Sequence, residues 1–152
     1  MLHSATTVPR SGSEAPTGVT PPLGGVRVLD FSANISGPLG TMLLGDFGAD
    51  VIKIEAPDGE RGRLWGTARF GPRSDMSSLY AAFNRNKRSL SVDLTTDRGR
   101  EVVYRLVASA DVVLENYFPG VAAKLGIDYD QLRRLKNDLI YCRLSGFGIG
   151  FG

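Results

Sequence analysis

The sequence predicts an α/β fold, a mainly parallel sheet assembled from Rossmann-like βαβ units. Two observations carry this. Short runs rich in Val, Ile and Leu recur at residues 26–31, 50–55, 89–94, 111–114 and 139–144, each of strand length. Segments with helical apolar spacing stand between them. Antiparallel neighbours can be joined by a tight turn, whereas strands that alternate with helices pair in parallel through right-handed crossovers.

The first strand is Val26-Arg27-Val28-Leu29-Asp30-Phe31. A helix follows, with Ser36 as candidate N-cap, Pro38 in the first turn, apolar positions Leu39, Met42, Leu43 and Phe47, and Gly48 as the stop. Asp50-Val51-Ile52-Lys53-Ile54-Glu55 is the second strand. Residues 56–75 read as irregular chain around Trp65, and a connection of that length inside a domain points to a binding loop. A helix is predicted over residues 76–83, then the basic junction Asn84-Arg85-Asn86-Lys87-Arg88 and a third strand over 89–94. Thr95 or Thr96 caps the next helix, whose apolar face is Val102, Val103, Leu106 and Val107. The fourth strand spans 111–114, Tyr117-Phe118-Pro119-Gly120 forces a turn, and Asp128 leads a short helix over 128–135. After the fifth strand the chain runs into Ser145-Gly146-Phe147-Gly148-Ile149-Gly150-Phe151-Gly152. Glycine-rich loops of this kind normally lead into another element, so a truncated domain is the expectation.

The 152 residues, 42% hydrophobic and 22% charged, suit one domain: a disordered lead-in over residues 1–22 and a partial α/β domain over 23–152. The lead-in has no apolar core of a secretory signal, and no run approaches the roughly 20 apolar residues of a membrane span. The single Cys142 excludes an internal disulfide framework, which makes the cytoplasm the natural compartment, and its apolar strand reads as the site of a buried thiol. A net charge of +2 gives no footprint for nucleic acid. With His3 as the one histidine, neither a histidine-based metal site nor a Ser-His-Asp triad is available.

Gly37-Pro38-Leu39-Gly40 does not supply the G-x-G-x-x-G of a dinucleotide fold. The junction at residues 84–89 concentrates Arg85, Lys87 and Arg88 with two Asn side chains. It reads equally as a site for one compact anion, such as a nucleotide phosphate, or as a solvated basic turn. Loops after the first, fourth and fifth strands, at residues 32–37, 116–117 and 145–148, would meet on the carboxyl side of a parallel sheet, where such folds bind ligands. Asp30 reads as structural.

Several segments in succession resemble the family III CoA-transferases of the CaiB/BaiF type. They are Pro22-Leu23-Gly24-Gly25-Val26-Arg27-Val28-Leu29-Asp30, Gly37-Pro38, Leu44-Gly45-Asp46-Phe47-Gly48-Ala49-Asp50-Val51-Ile52-Lys53-Ile54-Glu55, Asn84-Arg85-Asn86-Lys87-Arg88-Ser89, Ala110-Asp111-Val112-Val113-Leu114-Glu115-Asn116-Tyr117 with Pro119-Gly120, and Leu139-Ile140-Tyr141 with Ser145-Gly146-Phe147-Gly148. The resemblance implies part of that family's large domain, with a CoA thioester as substrate and no tightly bound cofactor or metal. It assigns Asn84, Asn86, Lys87 and Arg88 to CoA binding, Asn116 and Tyr117 to its neighbourhood, and Lys124 to its phosphates. Asn34 and Ile35 become acyl-site candidates. Formyl-CoA transferases carry Gln where this chain has Ile35, so a bulkier or less polar acyl group is expected.

The implied reaction moves CoA between an acyl-CoA and a carboxylic acid through an acylated aspartate. No residue here matches that aspartate, so no catalytic residue is assigned, and the fragment itself is expected to be inactive. An interlocked homodimer is implied for a full-length parent alone. The α-methylacyl-CoA racemases share the superfamily and stand as the alternative reading, beside a non-catalytic CoA-binding remnant. The Asn-Arg-Asn-Lys-Arg-Ser form favours the transferase.

Overall fold

The computed structural model of the chain describes residues 20–70 and 76–148. Strands β1 (Arg27–Asp30), β2 (Asp50–Glu55), β5 (Lys87–Ser91), β6 (Val112–Glu115) and β7 (Ile140–Arg143) form one sheet in the order β5-β2-β1-β6-β7. All four pairings are parallel. Helices α1 (Ser36–Asp46), α2 (Ser78–Phe83), α3 (Asp97–Val107), α4 (Val121–Lys124) and α5 (Tyr129–Leu132) lie in the connections. The β2–β5 connection also holds a 3-10 turn at Arg61–Leu64 and a small antiparallel pair, β3 (Arg69–Phe70) with β4 (Met76–Ser77). From β1 the chain first builds outward through β2 and β5, then returns to the other side for β6 and β7. Beyond their loops, β1 and β6 lead to helices on opposite faces of the sheet, which opens a crevice at the carboxyl ends of two adjacent strands.

Side chains alternate across the pleat, so the two faces of the sheet differ. One face holds Leu29, Phe31, Ile52, Ile54 and Val113, packed with Val103 and Val107 of α3 and with Ile127 and Leu132. The other has a small apolar patch of Val28, Ala49 and Val51. Along that second face the register sets Asp30, Lys53 and Glu55 further on in their strands, all buried.

Local capping follows the sequence in most places. Thr96 accepts from the Gly99 amide at 3.1 Å and Asp128 from the Gln131 amide at 3.2 Å. Gly99 has to be glycine, because a Cβ there would stand 1.9 Å from the Asp93 carbonyl oxygen.

Several expectations are corrected. The third main strand begins at Lys87 rather than at 89 and ends at Ser91, because its ladder with β2 starts at the Val51–Lys87 pair. Met76 and Ser77 are extended, and Ser77 caps α2 by accepting from the Tyr80 amide at 3.1 Å. Ser36 is already helical; the cap position falls on Ile35, which supplies no side-chain bond. The helix expected over 128–135 shortens to Tyr129–Leu132, and α4 was not foreseen. Cys142 is half-buried, because β7 is an edge strand. Residues 1–19 of the expected lead-in lie outside the described residues, whereas Pro21 already accepts from the Gly24 amide at 2.9 Å.

Helix α1 reverses the usual arrangement. Its buried residues are Gly37, Pro38, Thr41 and Met42, while Leu39, Leu43 and the following Phe47 are 37%, 45% and 54% exposed. The inward face meets a polar pair on the sheet, described below, and small residues fit there better than leucines. Among the described residues no helix is long and apolar enough to cross a membrane.

Two substitutions one residue apart should therefore separate. Met42→Ala should cost about 2–5 kcal/mol in a urea unfolding series, as for other buried methionines. Leu43→Ser should stay within about 0.5 kcal/mol of the parent.

Candidate functional site

The site is built around charges in strands that would ordinarily be wholly apolar. Asp30 ends β1 beneath α1. Its Oδ2 accepts from Thr41 Oγ1 at 2.7 Å and from Lys87 Nζ at 2.9 Å, while its Oδ1 accepts from the Ser32 amide at 2.9 Å and from the Ser32 hydroxyl. Burial pushes this carboxyl up, but Lys53, Lys87 and the hydrogen bonds from Lys87 and Ser32 outweigh it and hold the group below its ordinary range.

Lys87 also donates to the Pro38 carbonyl and to Asn84 Oδ1, both at 2.9 Å, and its side chain is 2% exposed. An ammonium has three protons, and these three acceptors use them. The outward phosphate contact expected of Lys87 is therefore not available in this conformation. The two-residue shift of β5 explains the change: Lys87 belongs to the strand and faces α1.

Arg88 alternates to the opposite face, where it grips Asp50 with Nε and Nη2 at 2.9 and 2.7 Å, and Arg27 Nε joins the same carboxylate at 2.9 Å. Its side chain remains 40% exposed. Asn86, with φ of 60°, donates to Asp46, which also receives Arg85. A cavity of about 400 Å³ is lined here by Asp46, Asn86, Lys87 and Arg88. Residues 84–86 precede β5 and so lie off the amino ends of the strands, away from the loops that follow β1 and β6.

Those loops come together. Asn116 accepts from the Ala33 amide at 2.8 Å and donates to the Ala33 carbonyl at 2.9 Å, a two-point bridge across the crevice. Lys53 Nζ donates to the Ser32 carbonyl at 2.8 Å and lies 2.6 Å from Glu60 Oε2. Glu60 Oε1 in turn accepts from the Asn34 amide at 2.7 Å. Below Tyr117, the buried Glu115 accepts from the Tyr117 amide at 2.8 Å and from Arg143 Nε at 2.5 Å. Burial, then the Glu115, Asp30 and Glu60 charges, push the Tyr117 hydroxyl up to about 12.

Two cavities flank this bridge. One of about 620 Å³ is lined by Ser36, Asn116, Tyr117, Phe118, Leu144 and Phe147. A smaller one of about 210 Å³ is lined by Phe31, Asn34, Lys53, Ile54, Glu60 and Tyr117. Tyr117 lines both. Lys124 stands apart in the last turn of α4, exposed. Ile35 is 44% exposed at the start of α1.

Lys53, Glu60, Glu115 and Arg143 were not singled out by sequence, and Glu55, which the sequence reads as a strand-end acid facing water, is buried instead. Lys53 carried a signal, a lysine flanked by Ile52 and Ile54 in a strand with no solvent face. Glu55 anchors the long β2–β5 connection: it accepts from Arg63 twice at 2.7 Å, from the Tyr80 hydroxyl at 2.7 Å and from the Glu60 amide at 3.0 Å. Burial raises its carboxyl, and the bonds from Arg63, Tyr80 and the Glu60 amide override this and take it down to about 2. Among the described residues no three His, Cys, Asp or Glu side chains converge as a metal site would require.

An open parallel sheet whose loops are bridged across the point where strand order reverses defines a doubly wound α/β domain. The chain belongs to the CoA-transferase family III, whose description matches residues 23–150. A protein of Mycobacterium tuberculosis described as a probable fatty acyl-CoA transferase is 46% identical over 127 residues, covering 84% of this chain and 32% of its own length. The succinate–glutarate CoA-transferase of Agrobacterium fabrum is 46% identical over 133 residues, covering 84% of this chain and 33% of its own. The crystal structure of a CaiB/BaiF family protein from Brucella suis superposes with a TM-score of 0.83 at 41% identity, covering 88% of this chain and 36% of that one. The chain thus spans about a third of the length of the curated relatives it matches.

Two outcomes test the buried charges. Lys87→Met leaves Asp30 as a buried carboxylate short of its main partner and should cost about 3–5 kcal/mol in chemical denaturation, with part recovered by adding Asp30→Asn. Glu55 releases its proton more readily folded than unfolded, so its contribution is full above 4.5 and is lost as pH falls from 4.5 toward 2. The urea midpoint should drop across that window, and less so in Glu55→Gln.

Proposed function

We propose that this chain recognises CoA thioesters as part of a CoA-transferase that moves CoA between an acyl-CoA and a carboxylic acid. The observation that carries the reading is the Asn116–Ala33 bridge beside the larger cavity, in a chain of this family. The relative of Agrobacterium is described as a CoA-transferase and that of Mycobacterium as a probable fatty acyl-CoA transferase, which supports transfer over racemisation. In this reading Asn116 and Tyr117 stand beside the thioester, and the exposed Lys124 offers a cation to phosphate. Asn34 and Ile35 face the acyl group. Asn86 and Arg88 present polar groups at the amino-end cavity, while Asn84 and Lys87 act indirectly, by holding α1 against the sheet.

The proposed covalent step uses an aspartate as nucleophile. It attacks the thioester carbonyl, forming a mixed anhydride and releasing CoA as thiolate; the thiolate then attacks the aspartyl carbonyl, which frees the donor acid and leaves an aspartyl-CoA thioester. The acceptor carboxylate displaces the thiolate to form a second mixed anhydride, and the thiolate takes the acceptor acyl group from it, giving the new CoA thioester and restoring the aspartate. Three aspartates are committed to cations: Asp30 to Lys87, Asp46 to Arg85, and Asp50 to Arg27 and Arg88. The 152 residues are accordingly proposed to bind a CoA thioester without turning it over. The interlocked homodimer is proposed for the longer protein, whose added surface would meet the exposed stripe of α1 and the edge strand β7.

Calorimetric titration of CoA into the purified chain should show binding, and Asn116→Ala should weaken it about tenfold, the equivalent of about 1.4 kcal/mol. Absence of binding by the parent chain would overturn the proposal. Incubation with acyl-CoA donors and carboxylate acceptors, followed by mass spectrometry, should reveal no new thioester. Repeated exchange abolished by changing Asp30, Asp46 or Asp50 would place the chemistry in this chain after all.

A further inference from the structure

The loop between β1 and α1 is held at three successive residues by three different side chains. Lys53 Nζ takes the Ser32 carbonyl at 2.8 Å, the Asn116 carboxamide takes both backbone groups of Ala33, and Glu60 Oε1 takes the Asn34 amide at 2.7 Å. Lys53 lies within a strand and Asn116 directly follows one. Glu60 belongs instead to the long β2–β5 connection, and two contacts fix it there. Its amide donates to Glu55 Oε2 at 3.0 Å, and its Oε2 lies 2.6 Å from Lys53 Nζ. The Lys53 side chain is 1% exposed. One buried cation thus grips the loop twice, at Ser32 directly and at Asn34 through Glu60.

The grip falls where the backbone most needs it. Asn34 has φ of 70°, in the left-handed region that non-glycine residues seldom occupy without support. Ile35 comes next and opens α1 with no side-chain cap to fix the entry angle. Asn34 lines the smaller cavity and Ser36 the larger, so the setting of this loop decides where Ile35 stands between them.

We infer that Glu60 is a positioning residue for the acyl end of the thioester: by holding Asn34 it sets which acyl groups the site accepts, and it leaves the affinity for CoA itself largely alone. The acyl part of this inference rests on the proposed CoA-thioester reading; the loop-holding part does not. Gly62 offers an independent handle. A Cβ at Gly62 would stand 2.5 Å from Glu60 Oε1, so Gly62→Ala displaces the carboxylate without altering it. Gly62 is not among the positive-φ glycines, so the alanine brings no backbone strain of that kind.

The test compares the purified chain with Glu60→Ala, Glu60→Gln and Gly62→Ala. Residue-resolved amide exchange should accelerate at Asn34 by about tenfold in Glu60→Ala and Gly62→Ala, while amides of β2 and α3 keep their protection. Glu60→Gln, which retains an acceptor for the Asn34 amide, should fall between. Titration with CoA and with octanoyl-CoA should show the ratio of the two dissociation constants changing by about tenfold in Glu60→Ala, with CoA alone held within about twofold. Unchanged Asn34 exchange in both Glu60→Ala and Gly62→Ala would overturn the loop-holding role. Equal weakening of both ligands would mark a merely structural residue and overturn the acyl role. A parent chain that binds neither ligand would overturn the thioester reading and the acyl role together, while the exchange comparison still decides whether Glu60 holds the loop.

Discussion

The buried pair of Asp30 and Lys87 is the constraint around which the rest of this domain is arranged. Removing two such ions from water costs several kcal/mol each, and attraction alone offsets that only with good geometry and further hydrogen bonds. Both are present: Asp30 receives Ser32 and Thr41 besides the lysine, and Lys87 reaches Pro38 and Asn84 besides the aspartate. The pair joins the last residue of β1, the first residue of β5 and the first turn of α1 across the intervening β2. Helix α1 must then lie close over it. Gly37 approaches Ser32 so nearly that a Cβ would stand 2.3 Å from the Ser32 Cβ.

That close approach accounts for two features that look unrelated. The residues of α1 that cover the ions, Gly37, Pro38 and Thr41, are small or polar, and Leu39 and Leu43 turn outward. The loop before α1 is short and held at consecutive residues because the helix entry allows no slack. Lys53 and Glu60 extend the same ionic layer toward the carboxyl end of β2, and Glu55 with Arg63 and Tyr80 carries it into the long connection. The α1 face of the sheet thus carries a polar layer that fixes loops beside its small apolar patch, while the α3 face supplies the main apolar core.

The chain belongs to the CoA-transferase family III, and the proposed function gives these loops a purpose that the polar layer would serve. A thioester needs an apolar surface for its acyl and pantetheine parts and polar groups held in fixed positions beside the carbonyl. In the proposed reading the larger cavity serves as the first, and the bridged residues around Ala33 and Asn116 as the second. Rigidity matters because loosely placed groups lose the gain from orientation.

The sequence by itself determined the parallel α/β class, the order of the main elements, a cap at Thr95 or Thr96, the cap at Asp128 and the family. Each depends on local periodicity, on a side chain bonding to a nearby amide, or on ordered motifs. It also drew attention to Asn34, Asn116 and Tyr117, which follow strands and therefore gather wherever parallel strands end. Only the tertiary structure decided what the basic junction does. Lys87 and Arg88 are adjacent in sequence, but the pleat sends them to opposite faces, one into Asp30 and the other onto Asp50. Which face each would take depended on a two-residue difference in where β5 begins, and that was fixed by its ladder with β2. The partners of Lys53 and Glu60 were hidden for the same reason. Ion pairs form between residues that folding brings within 3 Å, and no spacing along the chain records which strand a side chain will meet.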